Sequence, residues 1–128
     1  MDLIKPFFFV GIGGLLGSMS RYALHLLISS RSLSVFPWGT FTVNITGCLL
    51  IGLLVGLESR NILISDPLKW LLITGLCGGY TTFSTFGIEG MSLLHQQQYL
   101  PFLAYTIGSV AVGIIATIIG YGLVRWLA

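Results

Sequence analysis

The sequence predicts an all-α integral membrane protein with four transmembrane helices. Of its 128 residues, 55% are hydrophobic and 8% are charged, and the mean hydropathy is +0.94. A soluble domain carries about 25% charged residues. Four apolar segments also reach the length of about 20 residues that crosses the hydrocarbon core of a bilayer. The composition therefore excludes an ordinary water-soluble domain.

Each predicted span is bounded by a short polar connector or by a terminus. The four spans are residues 7–28, 38–57, 70–94 and 102–127. Tryptophans lie near span ends, as in the aromatic belts of membrane proteins, at Trp38, Trp70 and Trp126. Because spans and connectors account for the sequence, we expect a single domain, residues 1–128.

The few charged residues predict an orientation. An even number of spans places both termini on one side of the membrane. That side carries Lys5, Arg60, Lys69 and Arg125, whereas the other carries Arg31, with Arg21 as a further candidate. The positive-inside rule therefore favours cytoplasmic termini. The net charge is +2 and the basic residues form no cluster, so no nucleic-acid partner is expected.

The third span contains a polar interruption. Residues 78–86 read Gly-Gly-Tyr-Thr-Thr-Phe-Ser-Thr-Phe. Glycines and hydroxyl residues weaken a helix, and lipid cannot satisfy the backbone groups that a broken helix leaves free. The pattern therefore predicts a third helix that is broken in the middle of the membrane. Such a break must be buried in protein or line a polar path.

Polar or small side chains recur at helical spacing in three spans. They are Tyr105, Ser109, Gly113 and Thr117 in the fourth span, Thr40, Asn44 and Cys48 in the second, and Thr82, Thr85 and Glu89 in the third. Hydroxyl groups often bond back to the preceding helical turn, so packing without function stays open for each of them. The Asn44 amide has more polar positions than a helix can satisfy locally. Three such stripes together favour a polar path.

Two aromatic residues accompany the interruption. Phe83 and Phe86 alternate with Ser84 and Thr85. Aromatic pairs usually serve packing or lipid contact, and that alternative stays open. The edge of a benzene ring is positive and its face negative. Ring edges can therefore attract a small dehydrated anion, and the N–H groups of Asn44 could supply directional hydrogen bonds.

Charged residues inside spans are candidate functional groups. Arg21 and Glu89 are the two deepest, and for each the alternative is a side chain that extends to the membrane interface. His25 and His95 lie near span ends and are expected to be interfacial, since neither has a second ligand at metal spacing.

No enzyme is predicted. The sequence has no nucleophile–base arrangement and no phosphate-binding glycine loop. Cys48 and Cys77 lie in apolar segments and are expected to be packing residues.

Glycines at a spacing of four predict close helix packing. The pairs are 13 with 17, 52 with 56, and 75 with 79. Four short helices packed so closely cannot enclose a pore of their own. Any conduction path is therefore expected to need a second subunit.

These motifs resemble those of the small bacterial fluoride channels of the Fluc family. The resemblance covers nearly the whole chain and rests on residues 17–22, 38–44 and 78–86. It implies a passive, selective channel that exports fluoride across the bacterial inner membrane and lowers fluoride toxicity. It also implies an antiparallel, dual-topology homodimer in the lipid bilayer, with two pores.

The resemblance also implies roles for individual residues. Asn44, Phe83 and Phe86 would contact fluoride, and Glu89 would lie toward a vestibule. The remaining expected pathway residues are Ser84, Thr85, Tyr105, Ser109, Thr117, Thr40 and Arg21. A structural sodium ion would be held at the dimer centre by backbone carbonyls of Gly78 and Thr81 from each subunit. Oxygen ligands alone suit such a hard cation.

Three departures from the family pattern stand out. Gly113 occupies a track position where relatives often have serine, so that contact is expected to be lost or filled by water. Gly87 also stands where serine is usual. The charge bias between the two sides is stronger than dual topology favours, which leaves a heterodimeric partner open.

Two other functions are considered. A small four-helix, proton-coupled multidrug exporter has a similar size, but such transporters carry an acid on the first helix. Residues 7–28 contain no Asp or Glu. A subunit that only packs helices is the third possibility, and the aligned polar stripes disfavour it.

Overall fold

The computed structural model describes residues 3–62 and 65–127, and these form helices joined by short connectors. Four segments among them are long and apolar enough to cross a membrane. They are α1 (Ile4–Ser29), α2 (Trp38–Ser59), the segment Asp66–His95, and the last helix, Tyr99–Leu127. The predicted all-α class with four membrane-length segments is confirmed.

The segment Asp66–His95 is not one regular helix. It begins with α3 (Asp66–Lys69), continues as a π-helix over Trp70–Cys77, and ends its first half in α4 (Gly78–Tyr80). Thr81 and Thr82 are extended, with φ/ψ of −80°/157° and −146°/121°. Helical structure resumes in α5 (Phe83–His95), and the final helix is therefore α6 (Tyr99–Leu127).

The Thr82 side chain caps the N-terminus of α5. Its Oγ1 accepts a hydrogen bond of 3.2 Å from the Thr85 backbone N–H, so it occupies the N-cap position. The same oxygen donates to the Thr85 hydroxyl at 3.0 Å. A threonine in this place stabilises the new helix start immediately after the two extended residues.

Backbone-to-backbone packing explains the glycine pairs. A Cβ on Gly52 of α2 would strike the carbonyl of Thr117, and one on Gly120 of α6 would strike the carbonyl of Leu49. Helices α2 and α6 therefore cross at a distance that a larger residue would prevent. The α1 helix meets the first half of the third segment in the same way, at Gly13, Gly17, Gly75 and Gly79.

The helices extend further than the predicted spans. The sequence places the first span at 7–28, whereas α1 covers Ile4–Ser29. Likewise α6 begins at Tyr99 rather than at residue 102. Hydropathy marks where apolar residues end, but helical hydrogen bonds continue into the polar interface.

Large apolar side chains remain exposed on the outer surface of the four segments. Leu15, Ile107 and Ile118 are examples, with exposed fractions of 61%, 65% and 64%. The buried apolar set is small by comparison: Val43, Leu54, Cys77, Leu93, Tyr105, Ala116 and Val124. Such a surface requires lipid or another chain to cover it.

Candidate ion pathway

The interruption of the third segment is held by the Asn44 side chain. The Thr82 backbone N–H donates to Asn44 Oδ1 at 2.8 Å, and Asn44 Nδ2 donates to the Thr82 carbonyl at 3.0 Å. The amide thus pairs with an extended residue as a neighbouring β-strand would. One N–H of the Asn44 amide is left for another acceptor.

The two phenylalanine rings lie just beyond this pairing. Their centroids are 5.6 Å apart with an interplanar angle of 32°. Phe86 also contacts the Tyr105 ring, at 4.9 Å. Phe83 is 84% exposed, so this chain alone does not enclose its ring.

Glu89 is bound by two hydroxyl groups. Tyr105 donates to Glu89 Oε2 at 2.6 Å, and Thr40 donates to Oε1 at 2.8 Å. The two donors come from α6 and α2, and their exposed fractions are 0% and 1%. The half-buried carboxylate is therefore anchored by α2 and α6, at one end of a polar cluster.

Arg21 contacts the broken segment from α1. Its Nε donates to the Gly79 carbonyl at 3.2 Å, and the Ser18 hydroxyl donates to the same oxygen at 3.4 Å. A cation beside carbonyls at the end of a helix is electrostatically favourable. The first half of the third segment is thus joined to α1 through charge as well as through glycine packing.

The stripe on α6 faces α2. Tyr105 is buried against Glu89, and the Thr117 hydroxyl lies 3.1 Å from the Cys48 carbonyl and 3.0 Å from that of Gly113. The Ser109 Oγ is buried, and no hydrogen-bond partner for it exists among the described residues. The Cys48 Sγ lies 3.3 Å from the place of a Cβ on Gly113.

The space at position 113 is narrowed by Cys48, because a serine Cβ there would stand in tight contact with the Cys48 thiol. The sequence could not reveal this because the two residues belong to different helices. The expected loss of a polar contact at Gly113, or its replacement by water, stays a prediction. Cys48 packs against α6 on the polar stripe.

Three cavities are lined by the polar residues described above. The serine cavity, about 350 Å³, contains Glu89 and is lined by Ser29, Ser32, Leu33, Ser34, Val35, Phe36, Pro37, Trp38, Gly39, Glu89, Ser92, Leu93 and Gln96. The arginine cavity, about 260 Å³, is lined by Arg21, Tyr22, His25, Thr40, Val43, Thr82 and Thr85. The aromatic cavity, about 420 Å³, is lined by Asn44, Gly47, Cys48, Ile51, Ile73, Cys77, Gly78, Thr81, Thr82 and Phe83.

The cavities are linked by the residues described above. Thr82 lines both the arginine and the aromatic cavity, while Thr40 and Glu89 join the arginine cavity to the serine cavity. The predicted residues Arg21, Thr40 and Glu89 are therefore brought together with the interruption. His25 belongs to this group as well, and its position one helical turn from Arg21 was the only sequence signal for it.

The carbonyls of Gly78 and Thr81 lack their usual α-helical donors. The Thr82 N–H, which would bond to the Gly78 carbonyl in a continuous helix, donates to Asn44 instead. The Thr85 N–H, the helical donor for the Thr81 carbonyl, is bound by the Thr82 side chain. Gly78 is exposed, and a Cβ there would meet nothing within 4 Å. Among the described residues no group of three or more His, Cys, Asp or Glu could hold a metal.

Comparison with known families decides the classification. The sequence model of the family described as "CrcB-like protein, Camphor Resistance (CrcB)" matches residues 8–121. The chain belongs to the CrcB-like family. The three motifs at 17–22, 38–44 and 78–86 all lie within the matched region, and they supply Arg21, Asn44 and Thr82 to the interruption.

Relatives in this family carry a more specific name. A protein of Chloroflexus aurantiacus named fluoride-specific ion channel FluC is 47% identical over 117 residues, which is 91% of this chain and 93% of the relative. A protein of the same name from Phocaeicola vulgatus is 45% identical over 91% of this chain and 96% of the relative. One from Chlorobium chlorochromatii is 40% identical over 100% of this chain and 98% of the relative. The resemblance seen in the motifs is confirmed.

Proposed function

We propose that this chain forms a fluoride-selective, passive ion channel that exports fluoride from the cytoplasm. Its CrcB-like relatives are named fluoride-specific ion channels, and they match nearly the full chain. The structural observation that carries the proposal is the pairing of Asn44 with Thr82. This pairing opens the third segment between two cavities and places Phe83 at the start of the new helix.

The residues around the interruption suit a small anion that has lost most of its water. The remaining N–H of Asn44 can donate to the ion. The edges of the Phe83 and Phe86 rings present positive potential without a competing charge. Helix α5 begins at Phe83, so its positive end also faces this region. Weak, distributed contacts of this kind let an ion bind and leave again, which conduction requires.

A passive anion channel is sufficient for export. Hydrogen fluoride crosses membranes as a neutral weak acid and dissociates inside the cell, so fluoride accumulates there. The inside-negative potential then drives the anion outward, with about 2.3 kcal/mol per 100 mV for a single charge. No coupled energy source is needed, and fluoride toxicity is lowered.

The proposed pore requires a second chain. Phe83 is 84% exposed, and Gly78 beside it is also exposed. We infer an antiparallel, dual-topology homodimer in the bilayer of the bacterial inner membrane, with the break at Thr81–Thr82 in the middle of the membrane. A heterodimeric partner is the alternative that the bias in basic residues leaves open.

A sodium ion at the dimer centre is part of the proposal. The carbonyls of Gly78 and Thr81 lack their usual helical donors, and both residues line the aromatic cavity. Two carbonyls from each chain would supply four oxygen ligands, the kind that a hard cation prefers. The ion would join the two subunits electrostatically.

Vesicles containing the purified protein test the function. They are loaded with potassium fluoride or potassium chloride, and valinomycin carries the balancing potassium current. We expect rapid fluoride release, measured with a fluoride electrode, and retention of chloride. Equal release of chloride, or release of neither ion, would contradict the proposal. Proton flux driven by an added drug would instead support the multidrug exporter, which the relatives do not support.

A further inference from the structure

We propose that His25 is a positioning residue of the ion pathway, which fixes Thr40 against Glu89. The inference rests on the proposed fluoride channel. It concerns a hydrogen-bond chain that starts on α1, passes through α2 and ends at the carboxylate on α5. His25 Nδ1 lies 3.4 Å from Thr40 Oγ1, which in turn lies 2.8 Å from Glu89 Oε1.

The direction of this chain follows from counting protons. A threonine hydroxyl has one proton, and a carboxylate only accepts. Thr40 therefore donates to Glu89, as Tyr105 does at the other carboxylate oxygen. The Thr40 oxygen must then accept from His25, so Nδ1 of the imidazole carries the proton.

The other imidazole nitrogen also has a partner. Nε2 lies 3.4 Å from the Ser29 hydroxyl. With the proton on Nδ1, Nε2 accepts from Ser29, so both ring nitrogens are engaged.

The imidazole of His25 packs closely against Gly39 of α2. A Cβ on Gly39 would lie 2.7 Å from His25 Nδ1 and 2.6 Å from Ser29 Oγ. The absence of a side chain at Gly39 therefore allows the ring to reach Thr40. Thr40 is 1% exposed, so loss of the His25 donor would leave a buried oxygen without one of its partners.

The groups around His25 show what it positions. Arg21 and Tyr22 face the same cavity from α1, while Glu89 of α5 and Tyr105 of α6 lie beyond Thr40. A Thr40 hydroxyl that is held toward Glu89 keeps the carboxylate fixed at the edge of the arginine cavity. Fluoride flux is therefore expected to depend on the N–H that His25 presents to Thr40.

Fluoride release from vesicles tests the proposal with a matched set of variants. Protein-free vesicles correct for permeation of neutral hydrogen fluoride. His25→Leu fills similar volume without an N–H donor, and it should lower the flux by about threefold or more, as the loss of one hydrogen bond to a buried group implies. His25→Gln keeps an N–H donor and should restore most of the wild-type flux. His95→Gln, at the end of α5, serves as the control and should keep the wild-type flux.

The comparison of leucine with glutamine separates hydrogen-bond donation from packing. Equal flux in His25→Leu and the wild type, or no recovery in His25→Gln relative to His25→Leu, would overturn the role of His25 alone. Absence of fluoride flux from the wild-type protein would overturn the channel itself. If the variants do not fold, 15N spectra of the wild-type imidazole decide: a neutral ring protonated at Nε2 would refute the chain.

Discussion

Asn44 on α2 and Thr82 in the interrupted segment form a reciprocal pair, in which each residue both donates and accepts. The amide meets the backbone N–H and C=O of Thr82 at 2.8 Å and 3.0 Å. The Asn44 side chain supplies the acceptor that the Thr82 N–H would find at Gly78 in a continuous helix. The position of Phe83 and the start of α5 therefore depend on a residue 38 positions earlier in the chain.

Replacement of Asn44 by aspartate should separate structure from conduction. Aspartate still accepts from the Thr82 N–H, but it has no donor for the Thr82 carbonyl or for an anion, and it adds negative charge. We expect at least about a hundredfold loss of fluoride flux, equivalent to about 2.7 kcal/mol in the barrier. The folded dimer should persist on gel filtration. Fluoride flux close to that of the wild type would exclude Asn44 from the pathway.

Phe83→Ile should abolish fluoride flux or slow it by about tenfold or more, which corresponds to about 1.4 kcal/mol in the barrier. Isoleucine keeps an apolar surface but has no positive ring edge. Phe8→Ile provides the control, because Phe8 is 62% exposed and lies far from the interruption in sequence. Vesicle efflux measures both variants. Equal rates for Phe83→Ile and the wild type would remove the ring-edge argument.

Gly113→Ser should destabilise this protein. The new Cβ would lie 3.3 Å from the Cys48 thiol, and the hydroxyl would require further space. Overpacking of this kind costs about 1–3 kcal/mol. Adding Cys48→Ala should recover most of the loss in thermal unfolding experiments in detergent. Additive effects of the two substitutions would show that the residues do not compete for one space.

Removal of sodium should weaken the dimer if Gly78 and Thr81 hold the ion through their carbonyls. Exchange of sodium for choline during purification is expected to shift the protein toward monomer, observed by crosslinking in detergent. Thr81→Val keeps the carbonyl and loses only the side-chain bond of 3.0 Å to Cys77. It should therefore retain the sodium effect. A dimer indifferent to sodium in both proteins would contradict the site.

The parts of the fold that the sequence predicted depend on local properties. Four apolar segments follow from composition, and the weakness at residues 78–86 follows from glycine and hydroxyl residues in a row. The contacts that form the site, in contrast, join residues that are far apart in the sequence. Asn44 with Thr82, His25 with Thr40, and Cys48 with Gly113 each join different helices, and helical periodicity says which face a residue is on but not which partner it meets.

The polar residues at helical spacing predicted the site only in part, because periodicity does not identify their partners. Tyr105 and Thr117 do lie on one face of α6, but their hydroxyls bond to Glu89 and to backbone carbonyls. A spacing of four cannot distinguish a polar path from a polar helix contact. His25 was expected to be interfacial because it lies near a span end without a second ligand at metal spacing. Its contact with Thr40 on another helix has no sequence motif.

The exposed ring of Phe83 has a consequence for how transport responds to the amount of protein. If a second chain must cover this ring before fluoride can pass, isolated chains are electrically silent. At low density in the membrane, flux should then increase with the square of the number of chains. At high density the dependence becomes linear. A cell that makes few copies would gain almost no protection, and resistance to fluoride would appear abruptly as expression rises.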